Sequence, residues 1–217
     1  MRDANAVWHP SPNAGARRAG LTPHLIVLHY TAMASAERAR DWLCNPEAQV
    51  SAHYVLARDG TLWQLVDETE RAWHAGAGEW RGQDDINSRS IGIEIANTGA
   101  EPFPEPQMAA LEALMGRIKA RWDITETIGH SDMAIGRKID PGPRFDWARL
   151  ARQGLAHGVG QGPTQNPTPA QFRAAAKARG YSCDASDDAL LHAVRMRFRP
   201  WARGSLCAAD MAVLAEV

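Results

Sequence analysis

Apolar residues recur along the chain at two spacings, and each spacing predicts a different element. Residues 25–28, LIVL, make a short uninterrupted apolar run of the kind a buried strand makes. In residues 90–97, SIGIEIAN, Ile91, Ile93 and Ile95 alternate with Gly92, Glu94 and Ala96. That period of two predicts a strand with one apolar face and with Glu94 on the other, among small residues that leave room for a ligand. Residues 50–56 and 61–66 are further β-like runs, joined by Arg58-Asp59-Gly60, where Asp-Gly marks a hairpin turn. Over residues 106–122 the period lengthens. Met108, Leu111, Leu114, Met115, Ile118 and Trp122 recur at three- and four-residue steps, predicting an amphipathic helix whose core face includes the methionines. Ser35 is placed to cap another helix, through Leu43, with Glu37 in the first turn where the dipole favours negative charge.

Residues 156–167, AHGVGQGPTQNP, have no periodicity and read as a linker. Beyond it, Thr168 and Gln171 form a capping box with Pro169 at the first helical position, predicting a helix that stops at Gly180. Ser186 caps a second helix ending at Phe198 before Pro200, and Ser205 a third that reaches the C-terminus. Three short helices in about fifty residues predict a bundle of marginal independent stability.

Bulk properties narrow the function without naming it. In 217 residues, 45% apolar and 23% charged composition is that of a soluble globular chain, and a net charge of −1 offers no extended nucleic-acid or membrane surface. The first twenty residues are polar, with no signal-peptide core and no membrane span, and HPSPN favours extended backbone. With Met1 as the native start the expected location is the cytoplasm; with a leader removed it is the periplasm or the outer membrane. Cys44, Cys183 and Cys207 are odd in number, at no metal-like spacing, and read as free thiols of a reduced compartment, with a Cys183–Cys207 bridge as the alternative in an oxidising one. His9 and His24 read as surface or turn residues.

The chemistry concentrates in residues 128–147, IGHSDMAIGRKIDPGPRFDW, broken by Gly and Pro and so read as a loop. His130 and Asp140 are a nitrogen and an oxygen donor, with the cation Lys138 two residues before the Asp. A catalytic zinc takes three protein ligands and keeps one open position; His29, at the end of LIVLH, is the best third ligand. His53 reads as a hydrogen-bonded structural residue. Residues 71–80, RAWHAGAGEW, have two readings. In one, Trp73 plugs the core beneath a surface loop. In the other the stretch is a cleft wall, with His74 contacting substrate and Trp80 offering a flat face to a sugar or peptide. A cysteine hydrolase built on Cys44 is a rival, although Asn45-Pro46 beside it suggests a helix end.

LIVLHYTA, VSAHYVLARDGTLWQLV, RAWHAG, SIGIEIAN and GHSDMAIGRKIDPGPRFDW, in this order over roughly residues 20 to 150, resemble the zinc-dependent N-acetylmuramoyl-L-alanine amidases of the amidase-2 type. These share the peptidoglycan-recognition-protein fold, and the likeness is greatest to the Gram-negative anhydromuropeptide amidases. The resemblance implies an α/β fold, a central mixed β-sheet flanked by helices, over residues 1–155, with a three-helix module at 168–217. It implies one Zn2+ per chain on His29, His130 and Asp140, with Glu94 and Lys138 as the catalytic pair, and a muropeptide or peptidoglycan substrate. Expected substrate contacts are Trp73, His74 and Asn97. No nucleic acid and no protein partner is implied. The tail, in MRFRPW followed by Gly204, is similar to a peptidoglycan-binding module; a helical cap on the catalytic domain is the alternative. Two positions depart from relatives: Ala52 stands where phage amidases and many animal recognition proteins place a catalytic Tyr, and Gln49 where recycling enzymes carry an Arg. A silent peptidoglycan receptor is the rival reading on this fold. The full set of ligands and catalytic residues favours the enzyme.

Overall fold

The structure, a computed structural model, describes residues 1–162 and 165–215. In chain order the elements are β1 (Val7–Trp8), β2 (Ala14–Ala16), β3 (Leu25–Tyr30), α1 (Ala36–Leu43), β4 (Tyr54–Leu56), β5 (Leu62–Gln64), β6 (Glu70–Ala72), α2 (Ile86–Arg89), β7 (Ser90–Ile95) and α3 (Glu105–Arg121). They continue with β8 (Glu126–Gly129), α4 (His130–Met133), α5 (Trp147–Arg152), α6 (Pro169–Arg179), α7 (Asp187–Phe198) and α8 (Ala208–Ala212). Six strands form a mixed sheet in the order β1-β5-β4-β7-β3-β8, while β2 and β6 pair separately. Only β4 and β5 run antiparallel within the large sheet; β4, β7, β3 and β8 are parallel. This is the mixed sheet flanked by helices that the sequence implies.

The period of two in the strands decides which layer covers which face. Ile26, Leu28, Ile91, Ile93 and Ile95 point to one face and pack against Met108, Leu111, Leu114, Met115 and Ile118 of α3. Leu25 and Val27 point to the other, where Phe172, Ala176, Leu190, Val194 and Phe198 of the C-terminal helices cover them. The C-terminal helices therefore share one core with the sheet and do not stand as a separate bundle. Burying each such Phe or Leu contributes roughly 1.5–3 kcal/mol, which is how short helices hold without a core of their own. His29 and Glu94 lie on that second face, further along the strands, where the helical cover ends.

Local signals behave as their chemistry requires. Ser35, Thr168 and Ser186 each accept a backbone N–H three residues on, and Thr168 with Gln171 closes the capping box. Gly60 turns the β4–β5 hairpin at φ 93°, with Asp59 accepting the Thr61 N–H. Gln107 is fully buried and donates to the carbonyls of Leu56 and Ala96, tying α3 to the ends of β4 and β7.

Four expectations need correction. The run 50–56 forms a strand only over Tyr54–Leu56, because the backbone before it is committed elsewhere: Asn13 takes the Val50 carbonyl and Ser51 N–H bonds the Trp73 carbonyl. Likewise 61–66 shortens to Leu62–Gln64. Stretch 128–147 is not loop throughout; it starts on β8 and passes into the single turn α4. The last helix is capped at Cys207, not Ser205, because Asp210 accepts the Cys207 N–H and is itself fixed by Arg195 and Arg199. It also stops at Ala212, where the chain turns through residues 213–215, short of the expected C-terminal end; residues 216–217, and 163–164 of the expected linker, lie outside the described residues. Trp122 falls one residue past α3 and donates its indole N–H to Glu68. The three cysteines are free. No helix among the described residues is long and apolar enough to cross a membrane.

Candidate metal centre and active site

Three parallel strands deliver the site at their carboxyl ends, where open α/β sheets place their ligands. His29 is the penultimate residue of β3 and pairs in register with Glu94, the penultimate residue of β7. Neighbouring strands lie about 4.8 Å apart, so the two side chains emerge side by side on one face. His130 follows β8 directly as the first residue of α4. Asp140 returns to it from the far end of the loop, pinned where its carbonyl accepts the Ser131 N–H at 2.9 Å. The Asp140–Pro141 peptide is cis.

His29 Nδ1 stands 2.9 Å from His130 Nδ1 and 2.9 Å from Asp140 Oδ2, and His130 Nδ1 stands 3.1 Å from the same oxygen. The outer nitrogens decide which atoms carry protons. His130 Nε2 faces the Ala75 carbonyl at 3.0 Å and must donate to it, which leaves a lone pair on Nδ1. His29 Nε2 meets His74 Nδ1 at 3.0 Å, and His74 Nε2 meets Ser90 Oγ at 3.2 Å. Because Ser90 donates its own proton to the Ile86 carbonyl, the chain runs His29 to His74 to Ser90, and His29 Nδ1 also presents a lone pair. Two imidazole lone pairs and a carboxylate oxygen thus face one point with no proton among them. A cation bound at that point would stabilise such a triangle. A tetrahedral ion with bonds of about 2.0–2.1 Å spaces its ligand atoms by roughly 3.3 Å, close to the separations found. Each histidine also donates its far N–H to a fixed acceptor, His130 to the Ala75 carbonyl and His29 to His74, which holds the ring's orientation as in metal-ligating histidines.

The electrostatics agree. Burial, reinforced by the neighbouring His130, pulls His29 down to about 4, which keeps it neutral and able to ligate. Burial works against ionisation of Asp140, yet its contacts with the His130 and His29 imidazoles prevail and hold it below the usual carboxylate range. Burial pushes Glu94 well above its ordinary value, the Asp140 charge adds to this, and Lys138 opposes it. Glu94 Oε2 is buried with no hydrogen-bond partner among the described residues. All five residues line one cleft of about 390 Å3, whose rim includes Trp42, Val50, Trp73, Arg137 and Ile139.

Other expected contacts fall differently. Trp73 lines the cleft wall. His74 also borders the cleft but is 8% exposed and spends both ring nitrogens on His29 and Ser90, so it stands behind the cluster rather than facing a substrate. Trp80 presents no flat face: it is 4% exposed in the core, donates its N–H to Glu126 and packs edge-on against Tyr181. Asn97 is not brought to the cleft; its side chain closes the turn to Gly99 and Glu101. Cys44 bonds the His9 carbonyl, and burial raises its thiol, the opposite of an activated nucleophile. Ser90 and the Ala75 carbonyl belong to the site and were missed by sequence reasoning. One signal for His74 was available: a Cβ on Gly92 would fall 2.4 Å from the His74 ring, and a glycine inside a strand marks such close approach.

His53 is structural, as expected. Its Nδ1 accepts the Gly92 N–H at 3.0 Å and its Nε2 faces the Glu70 carbonyl at 3.2 Å. Burial, with Arg17 nearby, lowers it from 6.5 to about 3. The unfolded chain binds this proton near pH 6.5 and the folded one does not. Stability is therefore fully present above that pH and is lost as pH falls towards 3, by up to roughly 1.4 kcal/mol per pH unit. Imidazole NMR checks this: His53 should stay neutral in the folded protein to about pH 4, and titration near 6.5 would contradict its buried, neutral state.

Two histidines and a carboxylate at strand ends, beside a second, unpaired carboxyl group, form the donor pattern of mononuclear metallohydrolases. The chain belongs to the N-acetylmuramoyl-L-alanine amidase family, whose profile matches residues 19–143. It is similar to the 1,6-anhydro-N-acetylmuramyl-L-alanine amidase AmpD of Escherichia coli, 36% identical over 160 residues, 65% of this chain and 87% of that protein. With N-acetylmuramoyl-L-alanine amidase AmiD of Escherichia coli it is 38% identical over 149 residues, 60% of this chain and 53% of that protein, so the match spans about half of that relative. The structure of AmiD in complex with anhydro-N-acetylmuramic acid-L-Ala-D-γ-Glu-L-Lys superposes with a TM-score of 0.78 at 31% identity, covering 99% of this chain and 91% of that one.

Proposed function

We propose that this chain is a zinc hydrolase that cleaves the amide between N-acetylmuramic acid, including its 1,6-anhydro form, and L-alanine in muropeptides, in cell-wall recycling or turnover. The observation that carries the reading is the convergence of the His29 and His130 Nδ1 lone pairs with Asp140 Oδ2, beside Glu94, whose Oε2 has no partner among the described residues. His29, His130 and Asp140 would hold one zinc, which lowers the pKa of a water and polarises a carbonyl when bound.

The chain's own residues then divide the work of cutting an unactivated amide. Glu94 takes the proton of the attacking water and later passes one to the departing L-alanine nitrogen. Its raised pKa suits the second half, since a carboxyl group that ionises easily is a poor acid, and the first half needs the ionised form that a bound cation would favour. Lys138, on the cleft wall, offers its ammonium to the oxyanion of the tetrahedral intermediate. Trp73 supplies an apolar wall for the sugar or the stem peptide. Residues 1–155 carry this chemistry, and the helices of 168–217 serve as a cap that completes the core.

Mass spectrometry of products from purified anhydromuropeptide and from whole sacculi tests the proposal. Expected is release of a peptide with a free L-alanine amine, abolished by chelator and restored by zinc. Binding without cleavage would favour the receptor reading, and loss of activity on thiol alkylation but not on chelation would favour Cys44.

A further inference from the structure

The C-terminal helices reach the segment that carries His130 through a buried carboxylate, Asp132. Asp132 follows His130 by two residues in α4 and is fully buried. Its Oδ2 accepts the Gly129 N–H at 2.7 Å and Arg197 Nη1 at 2.6 Å, and its Oδ1 accepts the Tyr181 hydroxyl at 2.9 Å. Arg197, from α7, spends Nη2 on the Thr127 carbonyl at 3.0 Å and stacks over Trp147 at 3.9 Å. At the other end of α4, Cys183 donates its thiol to the Met133 carbonyl at 2.9 Å. Residues on or beside α6 and α7 thus hold the turn at both ends.

A buried ion pair is a poor way to glue one layer to another, since well-packed apolar side chains of equal volume hold as well or better. It fixes direction, because the guanidinium fork admits few arrangements. Here direction is what matters. α4 is four residues long, too short to hold its own geometry, and the Asp132 bond to Gly129 sets the bend at which β8 becomes that turn. His130 sits on the bend.

We propose that Arg197 and Tyr181, supplied by the C-terminal part of the chain, are positioning residues for His130 as a metal ligand. The inference rests on the metal reading given above. It gives the helical module a part in the hydrolytic centre itself, so the module is needed even for small soluble substrates. A module that only gripped glycan would be dispensable there.

The test is zinc affinity of the full-length chain by competition with a chromophoric chelator, together with the visible spectrum of the cobalt-substituted protein. Arg197→Met should weaken zinc binding about 10- to 100-fold, the usual effect of losing an outer-shell partner. Arg197→Lys should lie between it and wild type. Tyr181→Phe removes one oxygen and keeps the ring against Trp80, so it tests the idea even where the Arg197 variants fail to fold; about 5-fold weaker binding and a shifted cobalt spectrum are expected. Arg199→Met breaks an ion pair to Asp210 in the same module without touching α4, and should leave affinity unchanged. Folded Tyr181→Phe and Arg197→Lys with wild-type zinc affinity and an unshifted spectrum would overturn the inference, as would an equal loss in Arg199→Met. A wild-type chain that binds no zinc would instead overturn the metal reading.

Discussion

Glu94→Gln is expected to lower kcat about 10²- to 10⁴-fold, the range that a positioned acid–base group supplies, while zinc content stays at one per chain. The substitution keeps shape and volume, and it removes the ability to take and return a proton. Glu94 is not among the three converging donors, so metal retention should be unaffected. Burial and the Asp140 charge raise its pKa, and a bound divalent cation would draw it back towards the working range. Oε2 has no hydrogen-bond partner among the described residues, so no bond at that atom is lost with the substitution. Steady-state kinetics alongside metal analysis checks the result. Turnover within threefold of wild type, with zinc in place, would remove Glu94 from the mechanism.

Asp140→Ala should be more drastic, because it removes the only negative ligand. Two neutral imidazoles would be left to hold a doubly charged ion in a largely buried site, without the compensation that makes burial of charge tolerable. Expected are loss of stoichiometric zinc and a fall in activity of about 10³-fold or more, since the ion's contribution to the barrier is several kcal/mol. Metal content by mass spectrometry and turnover on anhydromuropeptide report the two losses separately. Full zinc occupancy in the variant would mean that Asp140 is not a ligand.

The parts of this account legible in the sequence are those with local causes. Alternating isoleucines fixed the face on which Glu94 emerges, caps at Ser35, Thr168 and Ser186 placed helix starts, and glycine–proline punctuation located the chain segment that returns Asp140. What stayed illegible depends on partners far along the chain. Register between β3 and β7, which sets His29 beside Glu94, is a tertiary fact. So is the chain of bonds from His29 through His74 to Ser90, which fixes the proton on the outer nitrogen. Trp80 looked like a cleft residue because tryptophan serves surfaces and cores alike; only its bond to Glu126 and the approach of Gly180 decide for the core. Asn97 followed a strand end that points at the site, but its short side chain satisfied the next turn instead. Asp132 was visible as one of three aspartates in the metal segment. Its partner Arg197 stands 65 residues away, in helices read as a separate module.

The central claim is that one ion joins His29, His130 and Asp140. X-ray absorption at the zinc edge of the active, full-length protein tests it most directly. One zinc per chain is expected, with two imidazole nitrogens at about 2.0–2.1 Å and carboxylate or water oxygen completing four-coordination. Active protein whose zinc shows sulfur scattering, or no imidazole shell, or that turns over without any metal, would contradict it.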